Sequence, residues 1–413
     1  MTMDFCATSK LISLDQALTE LKKQVNPLPG MNFCHLRAAY QRILAQNIIS
    51  PISIPPERNA AMDGYAFNSQ DIRPGQSFEL PLCGVALAGQ PYQGSPEPHH
   101  CLRIFTGAVV PEPLDSVIMQ EHVKTANNRV HFPPDTAARQ FIRSAGCDVE
   151  QGQILLPQNK SLNAADIALL AAAGIYEVPV LPHIKIAFCS TGDELRGIGH
   201  PLSSGEIYDS NRYLLHSLLA RHSTHLTDLG VLPDHPDHLT ETLLQTAQEH
   251  DLIITSGGAS VGEADFIHRI LSANGEVHFW KLAIKPGKPV IFGRLGQAYL
   301  LGLPGNPVSL AVTFYLLGIP LLRLLNGQEL SPPLRIQAVT TEPLKKDPGR
   351  QEYQRGILSQ NSKGNFEVRP VGRQGSHILS GLSQANCFIV LPTDCEGVQA
   401  GSIVIAEPLD QFL

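Results

Sequence analysis

The sequence predicts a multidomain protein built on a doubly wound α/β domain with a mostly parallel sheet, flanked by β-rich parts. Three observations carry this. Residues 183–327 alternate short apolar runs with amphipathic helical stretches, the pattern of strand–helix–strand units. Those runs empty into loops of Gly, Pro, Ser and isolated charges, and an open α/β sheet collects its ligand-binding groups at the carboxyl ends of its strands. Residues 51–139 and the last ~80 residues instead lack helical period and are cut by Pro and Gly, which reads as short strands and turns. A chain of 413 residues, at roughly 100–200 per domain, holds about two to four domains.

In order, Ser13–Val25 is expected as an amphipathic helix with Leu14, Leu18, Leu21 and Val25 on one face, capped by Ser13 and ended by Asn26-Pro27. Arg37–Ile48 reads as a second short helix. Pro51–Arg139 reads as a small β module, and Asn163–Ala173 as a capped helix ended by Gly174. In the α/β region, strands are expected at Ile184–Cys189, His225–Leu229, Leu252–Thr255, Val277–Leu282, Pro289–Phe292 and Ala298–Leu301. Helices are expected at Ser210–His222, His238–His250, Asp265–Ala273 and Asn306–Asn326. Gln328–Pro333 reads as a linker to a C-terminal β domain with turns at Pro348-Gly349, Lys363-Gly364 and Glu396-Gly397.

Composition narrows the class. Thirty-one basic against 38 acidic residues give a net charge of −7, which argues against a dedicated nucleic-acid binder. The eight cysteines stand singly, with no C-x-x-C. That pattern fits neither a disulfide frame nor a zinc site, and suits a reducing cytoplasm. No export signal is expected, and the apolar runs read as short of the ~18 residues of a membrane span. The sixteen histidines match no ligand spacing.

Chemistry concentrates in the loops. Lys281–Pro289, K-L-A-I-K-P-G-K-P, places Lys281, Lys285 and Lys288 among apolar residues and prolines, which is not a solvated charge stripe. Their charge suits a phosphate. Gly257 and Gly258 let the backbone approach a ligand, and Ser256 and Ser260 supply hydroxyls. Glu263 and Asp265 supply oxygens that suit a hard cation. Asp193 and Glu194 follow a strand; they read as site carboxylates or as acids at a helix start. Asp234 also follows a strand and, taken alone, reads as the cap of the next helix. L-P-G-N-P (Leu303–Pro307) is a rigid turn before a helix whose N–H groups suit an anion. Asp63, Thr106, Asp148, Arg355 and Ser376 carry little signal from residue type alone. Trp280, the only tryptophan, reads as core. There is no P-loop, no Rossmann fingerprint in context, and no arguable Ser-His-Asp or Cys-His set.

Eight motifs together resemble one family. They are N-A-A-M-D-G-Y-A, R-I-F-T-G-A-V-V-P, S-T-G-D-E-L, G-E-I-Y-D-S-N, S-G-G-A-S-V-G-E-A-D-F, F-W-K-L-A-I-K-P-G-K-P, G-L-P-G-N-P-V-S and R-Q-G-S-H. In this order they look like the bacterial MoeA family of molybdopterin molybdenumtransferases, akin to the E domain of gephyrin. The resemblance implies molybdenum insertion into adenylylated molybdopterin, using molybdate and Mg2+ and releasing AMP. It implies a doubly wound α/β/α molybdopterin-binding domain (9–26 and 180–328) and a small two-piece mixed domain (27–50 and 140–179). An inserted β-rich domain (51–139) and a C-terminal β-barrel-like domain (329–413) complete the set. It also implies a cytoplasmic homodimer, with a molybdopterin adenylyltransferase as upstream partner and neither nucleic acid nor membrane.

Carried over residue by residue, the resemblance makes Asp63, Thr106, Asp148, Glu194 and Asp265 catalytic. Asp234, Ser256, Gly257, Gly258, Lys281, Lys285, Pro304, Pro307, Arg355 and Ser376 become substrate-binding, and Glu194, Asp234 and Asp265 metal-holding. The chain departs from the family pattern at Cys147, where an acid is usual, and at P-P-E-R-N-A before Met62-Asp63. Two other readings stand beside this one. Adenylylation of molybdopterin would need only the α/β domain. A non-catalytic pterin-binding scaffold would not need the set of acids and lysines.

Overall fold

A computed structural model describes residues 11–258, 266–409 and 412. The chain forms two compact units, one of residues 1–31 with 181–413 and one of residues 32–180.

The first unit begins with helix Leu14–Gln24. Ser13 accepts from the Gln16 amide while Gln16 returns a bond to the Ser13 amide, so the helix start is satisfied as expected. Ala17 and Leu21 are fully buried. The central sheet has six strands in the spatial order Thr224–Leu232, Ile184–Thr191, Leu252–Ser256, Ala298–Leu303, Ile291–Leu295, Gly275–Trp280. The first four run parallel and the last two add antiparallel. Helices Asn211–Leu219, Pro236–Thr246 and Phe266–Asn274 connect strands within it. Separate cores form, one around Ile186, Phe188, Leu301 and Phe314 and another around Ile253, Leu271 and Leu300. The central strands are therefore buried on both faces, which explains their unbroken apolar runs.

The expected helix Asn306–Asn326 is three segments. Pro307–Thr313 and Ile319–Leu325 are α-helical, and Phe314–Gly318 is a π turn. The wide turn falls just before Pro320, which has no N–H to continue the ladder. By length and composition Pro307–Leu325 could cross a membrane, contrary to the expectation that no run is long enough. Yet 72% of its apolar window is buried in the protein, so its hydrophobicity is spent on the core.

The C-terminal strands close a five-stranded barrel. Gln351–Gln360 pairs with Phe366–Pro370, then follow Ile336–Thr340, Ile403–Pro408 and Cys387–Leu391, which returns to Gln351–Gln360. Ile284–Lys285 adds to this sheet in parallel beside Gln351 and Glu352. A short helix, Leu379–Gln384, interrupts the all-β pattern expected here.

In the second unit the expected helix at Arg37–Ile48 is absent. A 3-10 turn, Leu36–Ala38, gives way to Gln41 at φ +62°. The Leu44 and Ala45 amides then bond the Lys160 and Pro179 carbonyls. The buried residues Leu36, Ala39, Leu44 and Ile48 mimic helical spacing but pack as extended chain around Leu156, Leu170 and Val178. Helix Ala164–Ala172 has the expected cap, a box between Asn163 and Asp166. Six strands form a curled sheet in the order Ser116–Met119, Gly64–Phe67, Cys101–Ile104, Phe78–Ala86, Arg129–Phe132, Lys124–Ala126.

Candidate functional site

In the first unit the loops at the carboxyl ends of the parallel strands lie against one another. Gly257 and Gly258 have φ of +91° and +66°, and a Cβ on Gly257 would stand 2.6 Å from the Thr191 carbonyl oxygen. Only glycine fits such a close approach in that conformation. The Gly257 amide donates to the Leu303 carbonyl at 3.1 Å. A Cβ on Gly305 would lie 3.7 Å from Gly257 Cα, so the G-G and P-G-N-P turns adjoin. Pro304 is buried and Pro307 opens the following helix. The Val308 amide in its first turn is not free for an anion: it donates to the Ser376 carbonyl at 3.1 Å. That bond brings Ser376 to the same place.

Asn211 ties these loops together. Its Nδ2 donates to Ser256 Oγ at 2.8 Å and to the Gly305 carbonyl at 2.6 Å, while its Oδ1 is buried without a partner. Nearby Ser190 Oγ donates to buried Asp209, which also accepts from Arg212. Residue reasoning missed Asn211 and Asp209, although both close the quoted G-E-I-Y-D-S-N motif.

Asp234 is not a helix cap, since helix Pro236–Thr246 starts after His235. Its amide donates to Asp193 Oδ1 at 3.2 Å, and one of its own carboxylate oxygens is buried and unpartnered. Burial pushes its pKa up, and the charges of Asp193 and Glu194 add to the rise. The acids that follow one strand thus bear electrostatically on the acid that follows its neighbour. Among the described residues no three His, Cys, Asp or Glu side chains converge as a ready metal site. Asp265, Ser260 and Glu263 lie outside the described residues. The donor set still suits Mg2+, which takes one or two carboxylates and leaves its other positions to water and phosphate. The orphaned oxygen of Asp234 is the group such a cation would relieve.

The lysine loop splits into three roles. Lys285 Nζ pairs with the buried Glu352 carboxylate at 3.2 Å. The Lys288 carbonyl accepts from the Leu282 amide. Lys281, at φ +67°, lies with its Nζ 3.5 Å from the centre of the Trp280 ring. Trp280 is half-buried, not sealed in the core.

Arg355, expected at the ligand, forms an internal brace. It is 1% exposed, and its guanidinium donates to the carbonyls of Ile378 and Arg373 and to Gln374 Oε1. Burial lowers its pKa, and the carbonyls hold the loop that carries Ser376.

In the second unit the structure joins two motifs that the sequence leaves 43 residues apart. Asp63 Oδ1 accepts from the Thr106 amide at 2.8 Å and from Thr106 Oγ1 at 2.7 Å. These bonds, backbone first, hold the Asp63 pKa below the ordinary carboxylate value. Gly64 is required beside it, because a Cβ would fall 1.9 Å from the Ile118 carbonyl oxygen. Asp148 is exposed, and its amide donates to Ile54.

Three family models cover the chain in order. They are the MoeA N-terminal region, domains I and II, over residues 12–174, a probable molybdopterin binding domain over 187–324, and the MoeA C-terminal region, domain IV, over 337–409. A molybdopterin molybdenumtransferase of Haemophilus influenzae is 43% identical over 406 residues, covering 98% of this chain and 100% of that protein. The chain belongs to the MoeA family. It is therefore a transferase, as the names of its relatives say. A molybdopterin molybdenumtransferase of a Nostoc species is 35% identical, with 90% of this chain and 87% of the other covered. Gephyrin of Dictyostelium discoideum is 33% identical over 88% of this chain and 57% of its own length. Among solved structures, the molybdopterin biosynthesis moeA protein of Pyrococcus horikoshii matches with a TM-score of 0.82 at 28% identity. The match covers 97% of this chain and all of that one.

Proposed function

We propose that this MoeA family member inserts molybdenum into adenylylated molybdopterin, consuming molybdate and releasing AMP to form molybdenum cofactor. A role in molybdenum cofactor biosynthesis follows from its relatives' name. The adenylylated form of the substrate, the AMP and the magnesium are our reading. The observation that carries it is the meeting of the Gly257-Gly258 turn, the Pro304–Pro307 turn and Ser376 through Asn211 and the Val308 amide. Backbone close to a ligand, with lysines and carboxylates beside it, suits a phosphorylated ligand with a divalent cation.

In this reading Lys281 and Lys285 take up phosphate charge, and Ser256, Gly257, Gly258, Pro304, Pro307 and Ser376 shape the cradle. Arg355 acts through the loop it braces. Glu194 and Asp234, with Asp265, would hold magnesium, which supplies neutralisation of phosphate charge. Asp63, kept ionised by Thr106, and Asp148 supply fixed negative charge and hydrogen-bond acceptance toward water and molybdate oxygens. The contribution is electrostatic positioning. We extend the proposal to a cytoplasmic homodimer, to the four-part division 9–26 with 180–328, 27–50 with 140–179, 51–139 and 329–413, and to a molybdopterin adenylyltransferase as supplier of substrate. Incubating the protein with adenylylated molybdopterin, with and without molybdate and magnesium, tests the reading. AMP release should require both ions, and fast release without either would overturn it.

A further inference from the structure

We propose that Trp280 is a positioning residue whose ring carries the Lys281 ammonium as a fixed, un-neutralised cation for an anionic group of the ligand. This rests on the reading above that Lys281 contacts substrate.

Two groups lie on the indole. Lys281 Nζ is 3.5 Å from the ring centre, and the His268 imidazole is centred 4.2 Å away, tilted by 30°. His268 comes from helix Phe266–Asn274 and Trp280 ends strand Gly275–Trp280, so a helix and a sheet strand together hold the ring. The Lys281 backbone is fixed as well. Its amide donates to Val290 at 3.0 Å and its carbonyl accepts from Ile12 at 3.2 Å, with φ at +67°.

The contrast with Lys285 gives the stack its meaning. Lys285 faces the Glu352 carboxylate at 3.2 Å, which cancels its charge until a ligand competes. A ring face attracts an ammonium through its quadrupole but brings no net negative charge. Among the described residues no carboxylate pairs with Lys281, so the ring holds the ammonium without neutralising it. An anion meeting it need not displace a carboxylate or order a flexible four-carbon stem, which favours binding by pre-organisation.

The chain has one tryptophan, so its fluorescence reports this ring alone. Emission should change between wild type and Lys281→Met, and again on addition of AMP to wild type but not to Lys281→Met. Emission identical in wild type and Lys281→Met would refute the stack, whatever the enzyme's activity. In molybdate-dependent AMP release, Trp280→Leu should raise KM for adenylylated molybdopterin about 3- to 10-fold with kcat within about twofold. Trp280→Phe, which keeps a ring, should stay within about threefold of wild type. Adding Trp280→Leu to Lys281→Met should change KM no further, because the indole then has nothing to position. An unchanged KM in a folded Trp280→Leu protein, or independent losses in the double variant, would overturn the proposal. Should Trp280→Leu fail to fold, the graded KM of Trp280→Phe and the emission of Lys281→Met decide. If wild type releases no AMP at all, the functional reading fails while the emission comparison still judges the stack.

Discussion

Asp63 and Asp234 show opposite uses of a carboxylate. Thr106 lowers the pKa of Asp63 through two hydrogen bonds. A group depressed in this way favours the fold above its unfolded pKa and loses that favour as pH falls through its folded pKa. Thr106→Val keeps the amide bond and removes the hydroxyl bond, so the Asp63 titration should move up toward the ordinary value. A carboxyl-detected NMR titration checks this, and an unmoved Asp63 would contradict it. Asp234 is raised by burial and by its acidic neighbours. Its charged form is disfavoured in the fold, so it withdraws stability as pH rises through its unfolded and then its folded pKa. Asp234→Asn should therefore raise Tm at neutral pH, on the order of 1 °C, while activity falls. Magnesium should raise the Tm of wild type and not of Asp234→Asn; an equal rise in both would remove Asp234 from the cation site.

At the scale of elements, Arg355 has the greatest reach. Its side chain bonds two carbonyls and one amide oxygen of the segment 373–378, and Ser376 in that segment accepts from the helix at Val308. Arg355→Met should cost about 3 kcal/mol or more, since buried bonds to a charged donor are each worth about 1.5–3 kcal/mol. Denaturant unfolding measures it. A loss below about 0.5 kcal/mol, within the range of a surface change, would mean the brace is not needed. Gly257→Ala should likewise destabilise, by about 1–3 kcal/mol for the strained turn, because the new Cβ meets the Thr191 carbonyl. These elements divide what was legible in the sequence from what was not. The strands around Ile186, Ile254 and Leu300 carry apolar runs at their centres because both faces are covered there, and their glycine loops announce their ends. The stretch 37–48 repeats apolar residues at helical spacing, yet the amides of Gln41, Leu44 and Ala45 bond carbonyls more than a hundred positions later. No local pattern encodes that. The role of Arg355 was hidden for the same reason, because an arginine reads as a surface cation until its carbonyl partners are known.

For the whole molecule, the barrel closes because Gln351–Gln360 pairs with both Phe366–Pro370 and Cys387–Leu391. Such a pairing choice cannot be read from strand pattern alone, whereas the order of the eight motifs points to the family from the sequence itself. The proposed homodimer predicts sedimentation at twice the chain mass of 44.9 kDa, and a monomer at micromolar concentration would contradict it. The central claim is molybdenum insertion with release of AMP. Its most direct test is a single-turnover incubation of the protein with adenylylated molybdopterin and magnesium, with molybdate added last, following AMP and the pterin product together. The account predicts little AMP before molybdate, then one AMP for each molybdenum-bearing pterin formed. AMP release indifferent to molybdate, or a pterin product without molybdenum, would contradict it.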